Sequence, residues 1–370
     1  MAKKIIELTT TNTAQNDDLL VVETNINTLP ETKAISVSDI SKSILKYTTH
    51  KNYFANPNFS IAQRNPAGGY VDIGATFAYA ADRWKVYKGG YSAGAFFTRA
   101  ITTNAGQGRN VLYVGRSSGT DTSPVFFSQE LETEDSYAFR GKYATVALRM
   151  QKGAGLNGTL NVYLITGTGT NQSIHTGFTG AANVYLGTIN ISQMPTTTWA
   201  DYVFTTPTPL SESFTQIGLS IIYTPAVGTV AANEHFAITL AQLSIGKDFF
   251  GYDIPTEAEN LARCLRFYER IYSTGGETYF YVGSGSAVSA TTADIVIRIA
   301  PKRANPTFGY GGTFQLSYSS VYAVSNIVLG VSGLSVVRIS ATSSGMTPNT
   351  PVMLRAAGDA NAFVEFRADL

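Results

Sequence analysis

Two short stretches carry the residue types that do chemistry. In QELETEDS (129–136), Glu130, Glu132, Glu134 and Asp135 are crowded together. Side chains alternate along a strand, so Glu130, Glu132 and Glu134 would share one face, where like charges repel unless water or a cation screens them. Hard carboxylate oxygens suit calcium, which makes these four acids a candidate metal site beside the plainer reading of a solvated edge. Paired carboxylates could also cleave a glycoside, but only their separation in space decides that. The second stretch, YAADRWKVYKGG (79–90), sets Asp82, Arg83 and Trp84 side by side. Strand alternation puts Asp82 and Trp84 on one face and Arg83 on the other, so the three are not expected to converge on a ligand. They read as scaffold: Trp84 fills a core, and Asp82 or Arg83 bonds a neighbouring strand, with a carboxylate near Glu130 as a partner for Arg83.

Other chemistry has less support. His50, His175 and His235 lie far apart, and none has a neighbour at metal-ligand spacing. There is no phosphate-binding loop pattern. Cys264 is the single cysteine, so it forms no intramolecular disulfide, and it is expected to be a packed, inert thiol. Aromatic side chains are the stronger candidates for binding. FGYGGTFQLSYSSVYAV (308–324) places Tyr310, Tyr318 and Tyr322 among small residues, a composition suited to sugar platforms or adaptable recognition, although strand aromatics more often pack.

The elements that must position these groups are mostly strands. Charged residues make up only 14% of the 370, while glycine numbers 34 and aromatics reach 12%, a balance that favours short strands joined by turns. Val146, Leu148 and Met150 alternate with smaller or charged residues. So do Leu160/Val162/Leu164, Ile217/Leu219/Ile221/Tyr223 and Phe236/Ile238/Leu240. A period of two means one buried face and one wet face, as in an antiparallel sandwich. The spacing predicts one amphipathic helix over 255–272, opened by a Thr256/Glu259 capping box, with Ala258, Leu261, Ala262, Leu265, Tyr268 and Tyr272 along its buried stripe. Strands resume after it (Ile295/Ile297/Ile299, Val336/Ile339, Phe363/Phe366).

The fold class expected is therefore all-β: a jelly-roll-type antiparallel β-sandwich over 51–252, a connecting helix at 253–275 and a smaller C-terminal β domain over 276–370. Residues 1–50 hold two or three short strands and a brief helix from about Ser38. They have too few apolar residues to close a core and are expected to fold against a partner. A net charge of +1 gives no basis for a nucleic-acid footprint, and no segment is apolar enough to insert in a membrane. MAKKIIELTTT lacks a signal-length apolar run, so the chain is expected to be made in a cytoplasm and not secreted through a signal.

NYFANPNFSIAQRNPAG (52–68), YAADRWKVY (79–87) and RCLRFYERIY (263–272), in this order, resemble a family of bacteriophage tail-fibre-like or appendage proteins with a carbohydrate-binding-module-like jelly roll. The opening ELTTTNTAQNDDLLVVETNI resembles the segment by which such proteins attach to the particle. AFVEFRADL is similar to the family's usual ending. The resemblance implies a virion protein released by lysis, which needs no signal and no disulfides. It implies attachment to other virion proteins through Leu8, Asp17, Asp18, Leu19, Leu20 and Val21, a homotrimer, and host surface glycan or protein contacted by the β domains. A tail fibre or receptor-binding appendage without enzymatic activity or cofactor is the leading expectation, with calcium as the one structural ion considered. A head fibre, collar or capsid-decoration protein is the first alternative, and a surface-polysaccharide depolymerase the second.

Overall fold

The computed structural model describes residues 19–24 and 31–36 as backbone, and residues 51–370 apart from 67, 102–109, 118–121 and 319. The chain divides into two compact units, Met1–Lys51 and Asn52–Leu370. In the first unit, β1 (Leu19–Thr24) pairs antiparallel with β2 (Glu31–Ser36), Leu19 opposite Ser36 and Thr24 opposite Glu31. Of the expected attachment residues, Leu19, Leu20 and Val21 fall on β1. Leu8, Asp17, Asp18 and the helix expected from Ser38 lie outside the described residues.

The second unit opens with β3 (Gly69–Ile73), β4 (Phe77–Ala81), β5 (Trp84–Lys88), β6 (Ala95–Ile101), β7 (Asn110–Arg116) and β8 (Val125–Glu130). A single helical turn, α1 (Thr133–Ser136), comes next. The chain continues through β9 (Ala144–Lys152), β10 (Thr159–Gly167), β11 (Ala182–Ile189), β12 (Ala200–Thr205), β13 (Gln216–Thr224) and β14 (His235–Ile245). These twelve strands form two six-stranded antiparallel sheets, ordered β11-β10-β13-β8-β5-β4 and β12-β9-β14-β7-β6-β3. The alternating residues do what their period requires: Val146, Leu148, Met150, Leu160, Val162, Leu164, Ile217, Leu219 and Ile221 are all fully buried between the sheets. One strand departs from strict alternation. The register of β14 shifts between Ile238 and Leu240, after which Ala241 and Leu243, not Leu240, join the sandwich core.

The connecting helix is shorter than its apolar spacing suggests. Helix α2 spans Glu257–Leu265, and the Thr256/Glu259 capping box is present. The chain then extends into β15 (Tyr268–Tyr272), which pairs with the last strand. Ala258, Leu261 and Ala262 face solvent, while Asn260 and Cys264 are buried at i and i+4. The expected stripe fails because the buried face carries a polar residue, and because the aromatic, β-branched run 267–272 finds a strand partner.

The C-terminal strands are β16 (Tyr281–Ala287), β17 (Thr292–Arg298), β18 (Thr307–Gly311), β19 (Phe314–Ser317) and β20 (Val321–Ala323). β21 (Asn326–Ser332), β22 (Val336–Thr342), β23 (Pro351–Ala356) and β24 (Phe363–Arg367) complete the chain. They make a seven-stranded sheet, β20-β19-β23-β16-β17-β22-β21, and a three-stranded one, β15-β24-β18, around a second core that includes Ile295, Ile297, Ile339, Leu354 and Phe366.

Candidate functional site

The two sequence stretches singled out for chemistry turn out to be parts of the joint between the sandwich and the C-terminal strands. Asp82 and Arg83 are not strand residues: they form the tight turn between β4 and β5, with Arg83 at φ 75° in the left-handed region. All three residues of the motif are at most 3% exposed, so the expected split between two faces does not hold. Trp84 stacks on Phe127 (4.9 Å, 9° between planes) and meets Phe54 and Phe59 edge-on at 5.2 Å. The Asp82 carboxylate accepts from the Gln63 backbone N–H (3.0 Å) and from Gln63 Nε2 (2.6 Å). Gln63 Nε2 also donates to the carbonyl of Tyr268 on β15. Burial pushes the Asp82 carboxyl above its ordinary range. Arg83 lies over the Phe267 ring (3.6 Å) and donates Nη2–H to the Glu130 carbonyl (2.7 Å), with Nη1 3.8 Å from Glu130 Oε1.

The acids of 130–135 do not converge. Strand β8 ends at Glu130, and the turn of α1 sends the next carboxylates elsewhere. Glu130 is fully buried and accepts from Lys85 Nζ at 2.6 Å. Glu132 bridges Arg266 (2.9 Å) and Arg303 (3.0 Å), while Glu134 and Asp135 are exposed. The shared-face metal site is therefore corrected: among the described residues no cluster of three or more acids, histidines or cysteines could hold a cation. Cys264 is fully buried, and burial pushes its thiol well above the ordinary range, away from nucleophilic thiolate chemistry.

The three tyrosines of 308–324 also separate. Tyr310, on β18, lines an open cleft of about 610 Å³ facing Ile327–Leu329, and its hydroxyl donates to Asn326 Oδ1 at 3.1 Å. Tyr318 stands exposed after β19, whereas Tyr322, opposite Leu316, packs against the C-terminal core.

A second cleft, of about 430 Å³, was not anticipated from the sequence. It lies on the outer face of the β12-β9-β14-β7-β6-β3 sheet. Core-facing residues on its strands are Ile73, Phe97, Leu112, Val114 and Phe236, so by alternation Tyr70, Phe96, Tyr113 and His235 point outward. Tyr70 stacks on Phe96 at 5.1 Å, with 23° between planes, and is 59% exposed. His235 sits edge-on to Tyr113 (5.1 Å) and Phe96 (6.3 Å), and burial lowers its pKa. Tyr113 and Trp199 flank the buried pair Val111 and Ala237, extending the aromatic strip along the sheet. At one rim Ser117 Oγ donates to Asp72 Oδ1 at 2.5 Å.

At the floor of this cleft Arg116 and Glu234 form a buried ion pair. Glu234 also accepts from Tyr223 Oη–H (2.6 Å) and the Ala231 N–H (2.8 Å). Burial opposes the charge of Glu234, but these donors hold its pKa below the ordinary value. The sequence signal for the cleft was present but weak. Tyr70, Phe96 and Tyr113 sit at outward positions of three strands that become neighbours only in the sheet order β7-β6-β3.

No family model matches this chain, and no curated protein does. Several solved structures are similar to it over about half its length. A cyclase from Fischerella sp. is 14% identical over 52% of this chain and 95% of that chain, with a TM-score of 0.32. The enzymatically active domain of tailspike protein 4 of bacteriophage CBA120 is 10% identical over 52% of this chain and 21% of that chain, at 0.29. A CBM22-1 xylan-binding domain from Paenibacillus barcinonensis is 13% identical over 51% of this chain and 99% of that chain, at 0.29. The sandwich itself is of the antiparallel jelly-roll type, and any functional reading rests on this chain's own residues.

Proposed function

We propose that this chain is a bacteriophage appendage protein whose β-sandwich binds host surface glycan in the aromatic cleft formed by Tyr70, Phe96, Tyr113 and His235. The observation that carries the reading is the exposed Tyr70 ring stacked on Phe96 beside an open cleft. Flat aromatic faces with hydrogen-bonding neighbours suit sugar rings, whose two faces are apolar and whose edges are polar. The resemblance of 52–68, 79–87 and 263–272 to phage appendage proteins supports the virion setting. In that setting residues 1–50 attach to the particle, and several copies, in a trimer, make weak sugar contacts add up. Binding is favoured over cleavage because the carboxylate lining the cleft, Glu234, is already engaged by Arg116, Tyr223 and Ala231.

Two measurements test this. Purified full-length protein is screened on a glycan array and on host cells, with release of reducing sugar monitored in parallel. Labelled antibody locates the chain on particles. Binding without release, together with a label on the tail or its fibres, is the expected outcome. A capsid label with no glycan binding would favour a decoration role, and release of reducing sugar would establish a depolymerase.

A further inference from the structure

We propose that Arg116 is the positioning residue of this cleft: it pins the loop joining β13 to β14 in the shape that receives ligand, and with its charge committed to Glu234 the ligand is an uncharged sugar. The inference rests on reading the cleft as a glycan site.

The loop, residues 225–234, contains Gly228 and three alanines and is largely exposed. Such a segment has little local reason to adopt one conformation. Yet Val230, Ala231 and Asn233 form one wall of the cleft. Arg116 fixes them from below. Its Nη1 donates to the Gly228 carbonyl and its Nη2 to the Val227 carbonyl, both at 2.9 Å. The other side of the guanidinium meets Glu234, with Nη2 2.9 Å from Oε2 and Nε bonded to Oε1. Glu234 in turn holds the Ala231 N–H and ties the loop to Tyr223 in the sandwich core. The guanidinium spreads these four contacts over three nitrogens in one plane, two loop carbonyls on one side and both carboxylate oxygens on the other, a span that the three donors on a single lysine nitrogen do not reproduce.

This geometry also bears on the ligand. Arg116 is the cationic side chain lining the cleft, and Glu234 neutralises it. The aromatic residues, Thr98 and Ser117 are uncharged, and burial keeps His235 neutral at physiological pH. Asp72, bonded to Ser117 at the rim, adds negative charge. An anionic sugar would meet repulsion with no free partner among the lining residues, whereas a neutral one meets rings, hydroxyls and the Asn233 amide.

The test uses the full-length chain and its Arg116→Lys and Tyr223→Phe variants. Hydrogen–deuterium exchange is followed over 226–233, and neutral oligosaccharides and their uronic-acid counterparts are arrayed at low and high salt. Exchange in the loop is expected to rise about tenfold in Arg116→Lys while strands β9 and β10 stay protected. Affinity for the neutral glycans bound by the parent should fall about tenfold. Tyr223→Phe, which keeps the ring, should show the same loop effect more weakly and serves if Arg116→Lys does not fold. Unchanged loop exchange in both variants would overturn the pin. Preference for acidic glycans, with binding that weakens in salt, would overturn the assignment of an uncharged ligand. Absence of any glycan binding would remove the sugar reading itself, while the exchange data would still decide whether Arg116 holds the loop.

Discussion

The indole Nε1 of Trp84 donates to the main-chain carbonyl oxygen of Asn56 at 2.9 Å, joining two segments 28 residues apart. Around this bond three stretches that looked independent in the sequence form one network. The Asn56 N–H donates to Asn260 Oδ1 of α2 (2.8 Å), and Asn56 Nδ2 donates to the carbonyls of Ile61 (2.7 Å) and Asp82 (3.0 Å). Segments 52–68, 79–87 and 263–272 are therefore parts of what joins the sandwich to the helix and to β15. Replacing Trp84 with Ala empties a fully buried site and removes that bond. A loss of about 3–5 kcal/mol is expected in a denaturant titration of the whole chain. A stability within experimental error of the parent would show that Trp84 does not hold the joint.

Lys85 and Glu130 pair with neither side chain exposed to solvent. Lys85 Nζ also donates to the Leu370 carbonyl (2.9 Å) and to Ser173 Oγ, so each direction of the ammonium has an acceptor. Lys85→Met should cost about 3–5 kcal/mol, because it leaves the buried carboxylate with only the more distant Arg83 guanidinium, 3.8 Å away, as its cation. Lys85→Met/Glu130→Gln should recover part of that loss, since the under-compensated carboxylate charge is then gone. Equal destabilisation by the single and double variants, read from urea midpoints at constant slope, would contradict this account.

Burial, and then the neighbouring Lys85 cation, lowers the pKa of His175 from 6.5 to about 4. Its Nδ1 is 2.5 Å from Ser173 Oγ, and Phe77, Tyr87 and Tyr91 surround the ring, with the Glu130 carboxylate acting in the opposite sense. The folded chain thus keeps this imidazole neutral over a range in which the unfolded chain takes up a proton. Its contribution to stability is complete above pH 6.5 and declines as pH falls toward about 4. Melting temperatures across that window should drop less steeply for His175→Gln than for the parent. Parallel curves would remove His175 from the explanation.

Tyr70 is 59% exposed and belongs to neither hydrophobic core, so Tyr70→Ala should leave stability within about 0.5 kcal/mol of the parent. If its ring is the sugar platform, affinity for any glycan bound by the parent should fall about tenfold, or ~1.4 kcal/mol. Isothermal titration with an array-selected oligosaccharide reads this directly. Unaltered affinity would move the binding surface elsewhere, with the Tyr310 cleft as the next place to examine.

How much of this was legible depends on which interactions are local. The period-two alternation of residues such as 146–150 and 217–223 determined the sheets, because a strand with one buried face needs only its own sequence to show it. The Thr256/Glu259 capping box determined where α2 begins, because both partners lie within one turn. Where α2 ends was different. Residues 267–272 are as compatible with helix as with strand in isolation, and pairing of β15 with β24, almost a hundred residues away, settled it. The acids of 129–136 shared a face only if the strand continued, and the turn at α1 dispersed them. Asn260 is buried on α2 because its Nδ2 donates to Asn56 Oδ1 (3.2 Å), Asn58 Oδ1 (2.8 Å) and Ser60 Oγ (2.9 Å), acceptors about two hundred residues away that the helical spacing does not reveal. The aromatic cleft was least visible of all: Tyr70, Phe96, Tyr113 and His235 come from four strands with no common motif, and sheet order alone made them neighbours. The sequence by itself determined an all-β chain with one capped helix, since those signals act within a few residues. Tertiary structure decided which side chains meet, since hydrogen bonds, ion pairs and ring contacts across strands depend on pairings that no local pattern encodes.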